Sequence, residues 1–230
     1  MILEGRNIGL RYPNTDNCLF ENLSFKITEP GFHALFGASG VGKTSLAKII
    51  TGDLKGFSGE IKTGDMDDLL YSYNLERLPG WSSVGNHLVK ITSPSHQDLM
   101  DEIIDAFGLR EYIRLRFSEL SLGQQNRINL IRYLLQDFQL LIMDESLANV
   151  DELTRERIIL KIKDLFPERL FLYISHNIIE VSRCCDEILV FRSLHNGTRT
   201  VSVKGQNHKT GQTVEKEDLE LTMLEIMHAS

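Results

Sequence analysis

The sequence predicts an α/β fold in which a phosphate-binding loop joins a strand to a helix. Residues 37–45 run Gly-Ala-Ser-Gly-Val-Gly-Lys-Thr-Ser and match the pattern G-x-x-x-x-G-K-[ST]. Residues 31–36 before the loop are apolar and strand-like, and residues 45–50 after it have helical spacing. A second apolar run, residues 138–143, leads into Asp144 and Glu145, as expected of a parallel strand buried on both faces.

The N-terminal half predicts short strands and turns, followed by helices. Residues 22–27 alternate like a half-buried strand, and residues 69–74 look like a buried one. The apolar residues of segment 99–107 have helical spacing, and Gly108 interrupts it. We expect strands near residues 2–11, 22–27, 31–36, 59–62 and 69–74, and helices over residues 45–50, 96–107 and 109–117.

The C-terminal half alternates helices with strands. Asn196-Gly197 is a hairpin signal, and the polar residues 204–216 predict a surface loop. Leu221, Leu224 and Met227 predict the apolar face of a helix over residues 217–228. We expect further helices over residues 121–136, 151–166 and 177–184, and strands over residues 138–145, 171–175, 187–192 and 198–203.

The composition is that of an ordinary soluble globular protein, with 230 residues, 42% hydrophobic and 25% charged. No stretch approaches the ~18 apolar residues of a transmembrane helix, and the N-terminus lacks the pattern of a signal peptide. Cys18, Cys184 and Cys185 have no metal-site spacing, which suits packing roles in a reducing cytosol. A net charge of −7 without a basic stripe argues against nucleic acid as the principal partner.

The loop itself predicts a site for a nucleoside triphosphate. Backbone N–H groups from Gly40 to Thr44, at a helix N-terminus, should point at the phosphates. Lys43 can reach the β- and γ-phosphates, and Thr44 can bind Mg²⁺. The alternative is a glycine-rich turn with an incidental lysine. The nucleotide-binding residues expected here are Gly37, Ser39, Gly40, Val41, Gly42, Lys43, Thr44 and Ser45.

Asp144 and Glu145 are expected at the carboxyl edge of the sheet, where ligands bind in open α/β folds. Two acids would be costly to bury without partners. Asp144 is suited to hold Mg²⁺, directly or through water, and Glu145 to orient or deprotonate an attacking water. The alternative is a helix N-terminus that carries acids for its dipole.

Three more motifs follow in order. Residues 120–127 run Leu-Ser-Leu-Gly-Gln-Gln-Asn-Arg, residues 148–151 run Ala-Asn-Val-Asp, and residues 174–176 run Ile-Ser-His. Together with the loop and the Asp-Glu strand, this set resembles the ATP-binding-cassette (ABC) ATPases over residues 1–195. The resemblance implies a phosphate-loop NTPase cassette with a mixed or parallel core sheet, an N-terminal antiparallel β-subdomain and a helical signature subdomain.

On this resemblance the whole chain, residues 1–230, is one nucleotide-binding domain. Residues 1–74 and 137–203 would form the β-rich subdomain and ATPase core, and residues 75–136 the helical subdomain with the signature. Residues 204–230 would add a loop and a helix at the C-terminus.

The resemblance also assigns roles to residues outside the loop. Tyr12 would stack on adenine, with packing against the sheet as its alternative, and His176 would contact the γ-phosphate. Two cassettes, as a homodimer or heterodimer, would pair so that each ATP lies between one phosphate loop and the signature of the other. In that signature, Ser121 and Gly123 would contact the γ-phosphate. Gln124 belongs to the same motif, and Asp151 would link the two sites.

Four positions depart from the family pattern. Leu122 replaces the first glycine of the signature, so its side chain must point away from ATP. Asn74 replaces a glutamine that contacts Mg²⁺, and its side chain is one methylene shorter. Ser146 in place of proline and the varied motif at residues 148–151 are expected to be mild changes.

Residues 75–88 look like a stretch of the nitrate, sulfonate and taurine-type importer ATPases, with one glycine inserted. In that setting Trp81 would lie near the groove that receives a membrane subunit, and its alternative is a buried anchor of the helical subdomain. The expected function is that of an ATP-hydrolysing subunit of a bacterial importer, which binds ATP and Mg²⁺ and powers a membrane permease from the cytoplasmic face. The alternatives are a soluble cassette without a transporter and a degenerate regulatory cassette, which Asn74 and Leu122 would favour.

Overall fold

The computed structural model describes residues 2–12, 18–74, 76, 78, 81–194 and 197–230. Within these residues it contains nine strands and seven α-helices. The strands are β1 (Leu3–Arg11), β2 (Cys18–Ile27), β3 (Gly31–Phe36), β4 (Ser58–Lys62), β5 (Leu69–Tyr73), β6 (Leu140–Asp144), β7 (Leu170–Ile174), β8 (Glu187–Leu194) and β9 (Gly197–Lys204). The helices are α1 (Lys43–Ile50), α2 (Val84–Ile91), α3 (Gln97–Ala106), α4 (Leu122–Leu134), α5 (Glu152–Leu165), α6 (Ile178–Cys184) and α7 (Lys216–Ala229).

All the described strands belong to one sheet, in the order β4-β1-β2-β9-β8-β3-β7-β6-β5. The last five strands of this order run parallel to one another. Their apolar sequences suit this arrangement, because parallel strands are normally covered on both faces. In the register, Asp144 lies beside Tyr73 on one side and Ile174 on the other, so the chain segments that follow these strands meet at one edge.

The N-terminal part of the sheet is antiparallel. Strand β1 pairs antiparallel with both β2 and β4. Strand β9 joins this part to the core, because it pairs parallel with β2 and antiparallel with β8. The predicted α/β class with a mixed sheet and an antiparallel N-terminal part is therefore confirmed. The hairpin turn predicted at Asn196-Gly197 lies partly outside the described residues, because Gly197 begins β9 and Asn196 is not among them.

Two apolar clusters cover the two faces of the sheet, as the alternation of side chains along β3 illustrates. Phe32 and Ala34 belong to the larger cluster, which also takes in the helices after residue 84, whereas Leu35 belongs to the cluster around α1 and the N-terminal strands. This packing fixes α1, and with it the loop at residues 37–42, against the ends of the parallel strands. None of the described helices is long and apolar enough to cross a membrane.

Three predicted elements are wrong in part. Segment 109–117 forms no α-helix but a 3₁₀ turn at Arg110–Tyr112, and a second 3₁₀ turn begins at its end, Phe117–Glu119. Helix α2 was not expected. Strand β5 is only half-buried because it is the edge strand of the sheet. Helix α7 buries Thr222, Ile226 and Ala229, while the apolar face predicted for it is exposed.

Candidate functional site

The phosphate-binding loop turns tightly from β3 into α1. Gly42 has φ = 103°, and a Cβ atom there would come within 2.5 Å of the ring of Phe20, so only glycine fits. Lys43 is almost fully buried, and its Nζ donates to the carbonyl oxygens of Gly37 and Ala38, both at 2.8 Å. Burial lowers the pKa of Lys43, and the nearby carboxylate of Asp144 opposes this shift.

Asp144 ends strand β6 beside this loop. Its Oδ2 accepts two hydroxyl hydrogen bonds, from Thr44 Oγ1 at 2.7 Å and from Tyr71 OH at 2.8 Å. Thr44 belongs to α1 and Tyr71 to β5, so two separate elements hold the carboxylate. Burial, followed by the hydrogen bond to Asp144, raises the pKa of Tyr71 well above its ordinary value, and the hydroxyl therefore keeps its proton.

Glu145 and His176 meet immediately after their strands. The Nε2 atom of His176 lies 2.9 Å from Oε1 of Glu145, and both side chains are 45% exposed. Glu145 has φ = 51°, a left-handed conformation that costs an ordinary residue about 1–2 kcal/mol. Such strain is common where an active site requires a particular side-chain position.

Most of the predicted site residues line one cavity of 340 Å³. Tyr12 lies at this cavity, and its hydroxyl is 2.9 Å from Oγ of Ser45. Gly37 and Val41 do not line it. The carbonyl oxygen of Gly37 accepts from Lys43, and the Val41 side chain is buried in the core. The residues that line it are Tyr12, Leu19, Ser39, Gly40, Gly42, Lys43, Thr44, Ser45, Asp144, Glu145, Ile174 and His176.

Asn74 lines a second cavity of 600 Å³, which shares Thr44, Asp144 and Glu145 with the first. Its backbone N–H donates to the Asp144 carbonyl at 3.2 Å. The Oδ1 atom of Asn74 is buried and has no hydrogen-bond partner among the described residues. The oxygen atoms of Thr44, Asp144 and Asn74 are of the kind that Mg²⁺ prefers, so these side chains fit a magnesium site.

The signature residues lie away from both cavities, at the start of α4. Ser121 accepts from the Gln124 backbone N–H at 3.3 Å, and the Gln124 side chain accepts from the Ser121 N–H at 2.8 Å. This capping box satisfies the backbone N–H groups at the end of the helix, so Ser121 and Gln124 also have a structural role. A Cβ atom on Gly123 would come within 2.3 Å of the Asn149 carbonyl, which explains the glycine. Leu122 is 55% exposed beside it.

Asp151 caps α5 in a similar way. Its Oδ1 accepts from the Thr154 backbone N–H at 2.9 Å, and this bond lowers the pKa of Asp151. Segment 148–151 is thereby held in a defined position at the surface. Ser146, the other departure in this region, is buried and donates to the Ser72 carbonyl at 3.0 Å. The hydroxyl therefore ties the segment after Glu145 to β5, which accounts for serine in place of proline.

Sequence reasoning missed three residues that hold the site or the segments beside it. Tyr71 donates to Asp144, and the largely buried pair Arg155–Glu180 joins segment 148–151 to the end of β7. Arg155 donates to the Val150 carbonyl at 2.9 Å and lies 3.1 Å from Glu180, which accepts from Ser175 Oγ at 3.0 Å. The only signal in the sequence was an acid four residues after His176.

Trp81 is 82% exposed, so the alternative that it is a buried anchor is wrong. Tyr73 and Val89, each eight residues from Trp81 in sequence, are also exposed apolar side chains, at 45% and 59%. Large exposed aromatic residues are common anchors of protein interfaces. Part of the importer-like stretch, including the inserted Gly80, lies outside the described residues.

Comparisons with known proteins agree with this geometry. The family model described as ABC transporter matches residues 20–148. The molybdenum import ATP-binding protein ModC of Brucella melitensis is 33% identical over 182 residues, which cover 70% of this chain and 51% of ModC. The spermidine/putrescine import ATP-binding protein PotA of Borreliella afzelii is 28% identical over 208 residues, which cover 82% of this chain and 59% of PotA.

Solved structures support the fold. An ATP-binding cassette solved as a dimer in a post-hydrolysis state, with ADP and Pi bound, superposes with a TM-score of 0.70 at 21% identity. The match covers 88% of this chain and 98% of that one. By contrast, this chain spans only about half the length of the curated import proteins that it matches.

Proposed function

Because the chain belongs to the ABC transporter family, we propose that it is an ATP-binding and ATP-hydrolysing subunit that powers a membrane transporter of the bacterial importer type. The observation that supports this most directly is the 340 Å³ cavity, in which the phosphate loop, Asp144 and the Glu145–His176 pair come together. A nucleotide bound in this cavity would contact a phosphate cradle and a candidate base at once. A soluble cassette would share this cavity, and the import relatives ModC and PotA favour the transporter over it. A regulatory cassette would not need the Glu145–His176 pair.

Each residue of the cavity would have its own role in ATP binding and hydrolysis. Backbone N–H groups at the start of α1 and the ammonium of Lys43 would bind the phosphates, once Lys43 turns from the loop carbonyls to the ligand. Tyr12 would stack on the adenine. Glu145 would accept a proton from water while the water oxygen attacks the γ-phosphorus, so that ADP leaves and phosphate is released. His176 would hold Glu145 in place and contact the γ-phosphate.

Thr44 and Asp144, with Asn74 directly or through water, would hold Mg²⁺. When bound, the ion shields the negative charge of the β- and γ-phosphates. The oxygens of Thr44 and Asp144 lie 2.7 Å apart, which brings two candidate ligands together. Asn74, which lines the neighbouring cavity, would contribute an oxygen that has no hydrogen-bond partner among the described residues.

A second cassette would complete the site. Ser121, Gly123 and Gln124 do not line the cavity of their own phosphate loop, which agrees with a role at the nucleotide of a partner. The capped start of α4 would present N–H groups to that γ-phosphate, and Asp151 would connect the two sites. A cassette of the same fold is dimeric with ADP and Pi. The division of the chain at residues 75 and 136 into core and helical subdomain belongs to the same proposal.

The membrane partner would be a permease that docks on the surface around Trp81, placing the protein peripherally on the cytoplasmic face. The relatives ModC and PotA are both import proteins, but their names specify molybdenum in one case and spermidine or putrescine in the other. The class of importer is therefore proposed without a cargo.

Two variants test the function by separating binding from hydrolysis. Lys43→Ala should lose most ATP affinity, whereas Glu145→Gln should bind ATP and lose hydrolysis by at least ~100-fold, because it keeps the size of the side chain and loses the base. Fluorescent nucleotide binding and phosphate release measure the two effects. Light scattering after size exclusion should show an ATP-bound dimer of Glu145→Gln.

The exposed substitutions Lys55→Ala and Glu168→Gln serve as matched controls that change the same charges elsewhere. The proposed ATPase would be rejected if the wild-type protein failed to bind ATP. Wild-type hydrolysis in Glu145→Gln would reject the role of Glu145. A folded wild-type protein that binds ATP but never hydrolyses it would support the regulatory alternative instead.

A further inference from the structure

Tyr71 is the residue near the candidate metal site that neither the motifs nor the predicted roles include. Strand β5 pairs with β6 so that Tyr71 lies beside Ile142 and Tyr73 beside Asp144. Tyr71 is therefore the diagonal neighbour of Asp144, within reach of a long aromatic side chain. Its hydroxyl donates to Asp144 Oδ2 at 2.8 Å.

We propose that Tyr71 is a positioning residue that orients the Asp144 carboxylate toward Mg²⁺, an inference that rests on the proposed binding of ATP and Mg²⁺. Two hydroxyl groups, from Thr44 and Tyr71, donate to the same oxygen of Asp144. Among the described residues no donor reaches the other oxygen, Oδ1. The two bonds hold Oδ2 and leave Oδ1 for the metal or its water.

The two hydroxyl groups differ in whether they would also bind the metal. Thr44 is itself a candidate ligand, so its oxygen would be shared between the metal and the bond to Asp144. Tyr71 lines only the 600 Å³ cavity on the β5 side and is absent from the lining of the nucleotide cavity. It can therefore hold Asp144 without competing for nucleotide. Hydrogen-bond partners behind a metal ligand commonly contribute 10- to 100-fold to metal affinity.

The alternative is that Tyr71 only packs on the edge strand. Its ring centroid lies 5.8 Å from that of Tyr73, and the ring is half-buried. Removing the hydroxyl alone distinguishes the two roles, because Tyr71→Phe keeps the ring and its packing. Tyr73→Phe is the matched control, since it removes a hydroxyl from the same strand and, among the described residues, that hydroxyl has no partner.

The test is equilibrium binding of a fluorescent ADP analogue in Mg²⁺ and in EDTA, which does not depend on hydrolysis. For each protein the ratio of the two dissociation constants gives the gain in affinity that Mg²⁺ provides. We expect Tyr71→Phe to lose about tenfold of this gain and to keep the affinity measured in EDTA. Tyr73→Phe should match the wild type in both conditions.

An unchanged gain in a folded Tyr71→Phe would overturn the inference while the proposed function stands. An equal loss in Tyr71→Phe and Tyr73→Phe would also overturn it, because the effect would then belong to the strand and not to the bond with Asp144. A wild-type protein that binds the analogue without any gain from Mg²⁺ would overturn the proposed Mg²⁺ site and the inference with it, and a wild-type protein that does not bind nucleotide would overturn the proposed function. Should Tyr71→Phe not fold, Tyr71→Met, which also fills the space without a donor, allows the same comparison.

Discussion

The charge of the buried acid Glu180 should stabilise the folded protein, and Glu180→Gln tests this by the free energy of unfolding. Its side chain is 8% exposed and lies 3.1 Å from Arg155, which is 21% exposed. Arg155 also donates to the Val150 carbonyl, and Glu180 accepts from Ser175, the residue before His176. One ion pair thus connects segment 148–151 with the end of β7.

The magnitude follows from the burial of the pair. Removing one partner of a fully buried pair costs about 3–5 kcal/mol because the other charge stays uncompensated. Arg155 keeps some solvent and its bond to Val150, and glutamine can still accept from Ser175, so we expect a smaller loss of about 2–3 kcal/mol. For a domain of 150–250 residues each kcal/mol lowers the melting temperature by about 2–4 °C. The expected fall in melting temperature is therefore about 4–12 °C.

Chemical and thermal unfolding of the nucleotide-free protein measure this loss. Glu102→Gln is the control, because Glu102 pairs with Lys161 at 2.6 Å at the surface, where the side chains are 47% and 31% exposed. Such exposed pairs contribute about 0–1 kcal/mol. The reasoning fails if Glu180→Gln costs less than ~1 kcal/mol, or no more than Glu102→Gln, since the buried charge would then have little energetic weight.

Two further substitutions test the partner and metal contacts. Asn74→Gln should raise the basal ATPase rate of the isolated protein several-fold with little change in ATP affinity, because the glutamine amide reaches ~1.5 Å farther toward the metal than the asparagine amide. An unchanged or lower rate would show that the shorter side chain does not limit the site. Trp81→Ala should weaken co-sedimentation with membrane vesicles prepared from the protein's native organism by about tenfold or more, because large aromatic residues often anchor interfaces. The melting temperature should stay unchanged, because the Trp81 side chain is 82% exposed. Leu221→Ala, also exposed, is its control, and a collapse in stability with normal binding would refute docking at Trp81.

The elements that the sequence predicted well have signals that are local. The loop between β3 and α1 is specified by its glycines, and buried strands such as β6 are specified by unbroken apolar runs. Helix α7 shows where such signals fail. Apolar side chains lie on both of its sides, and its packing against α6 and β9, not its periodicity, decides that Ile226 is buried and Leu224 exposed. Helix α2 was missed although Ser83 caps it by accepting from the Asn86 N–H, because the segment was interpreted only as a motif.

The same distinction between local signals and tertiary contacts holds for the candidate site. Each motif residue was found from its own neighbours in sequence, but the pairs between motifs depend on which strands are adjacent. The alignment of Asp144 with Ile174 in β6 and β7 brings the residues just beyond, Glu145 and His176, within 2.9 Å. Linear order alone gives no reason for that contact.

Tyr71 is the stricter case, because its role depends on a register and not only on adjacency. Had β5 shifted by one residue against β6, the Tyr71 side chain would point to the opposite face of the sheet and could not reach Asp144. Pairing of Ser72 with Met143, and the bond from Ser146 to the Ser72 carbonyl, hold the observed register. The serine that replaces the usual proline after Glu145 therefore helps to keep the Tyr71 hydroxyl within reach of the carboxylate. Ser146→Ala should then reduce the Mg²⁺-dependent gain in nucleotide affinity, though less than Tyr71→Phe does. A gain equal to that of the wild type would show that strand pairing alone keeps the register.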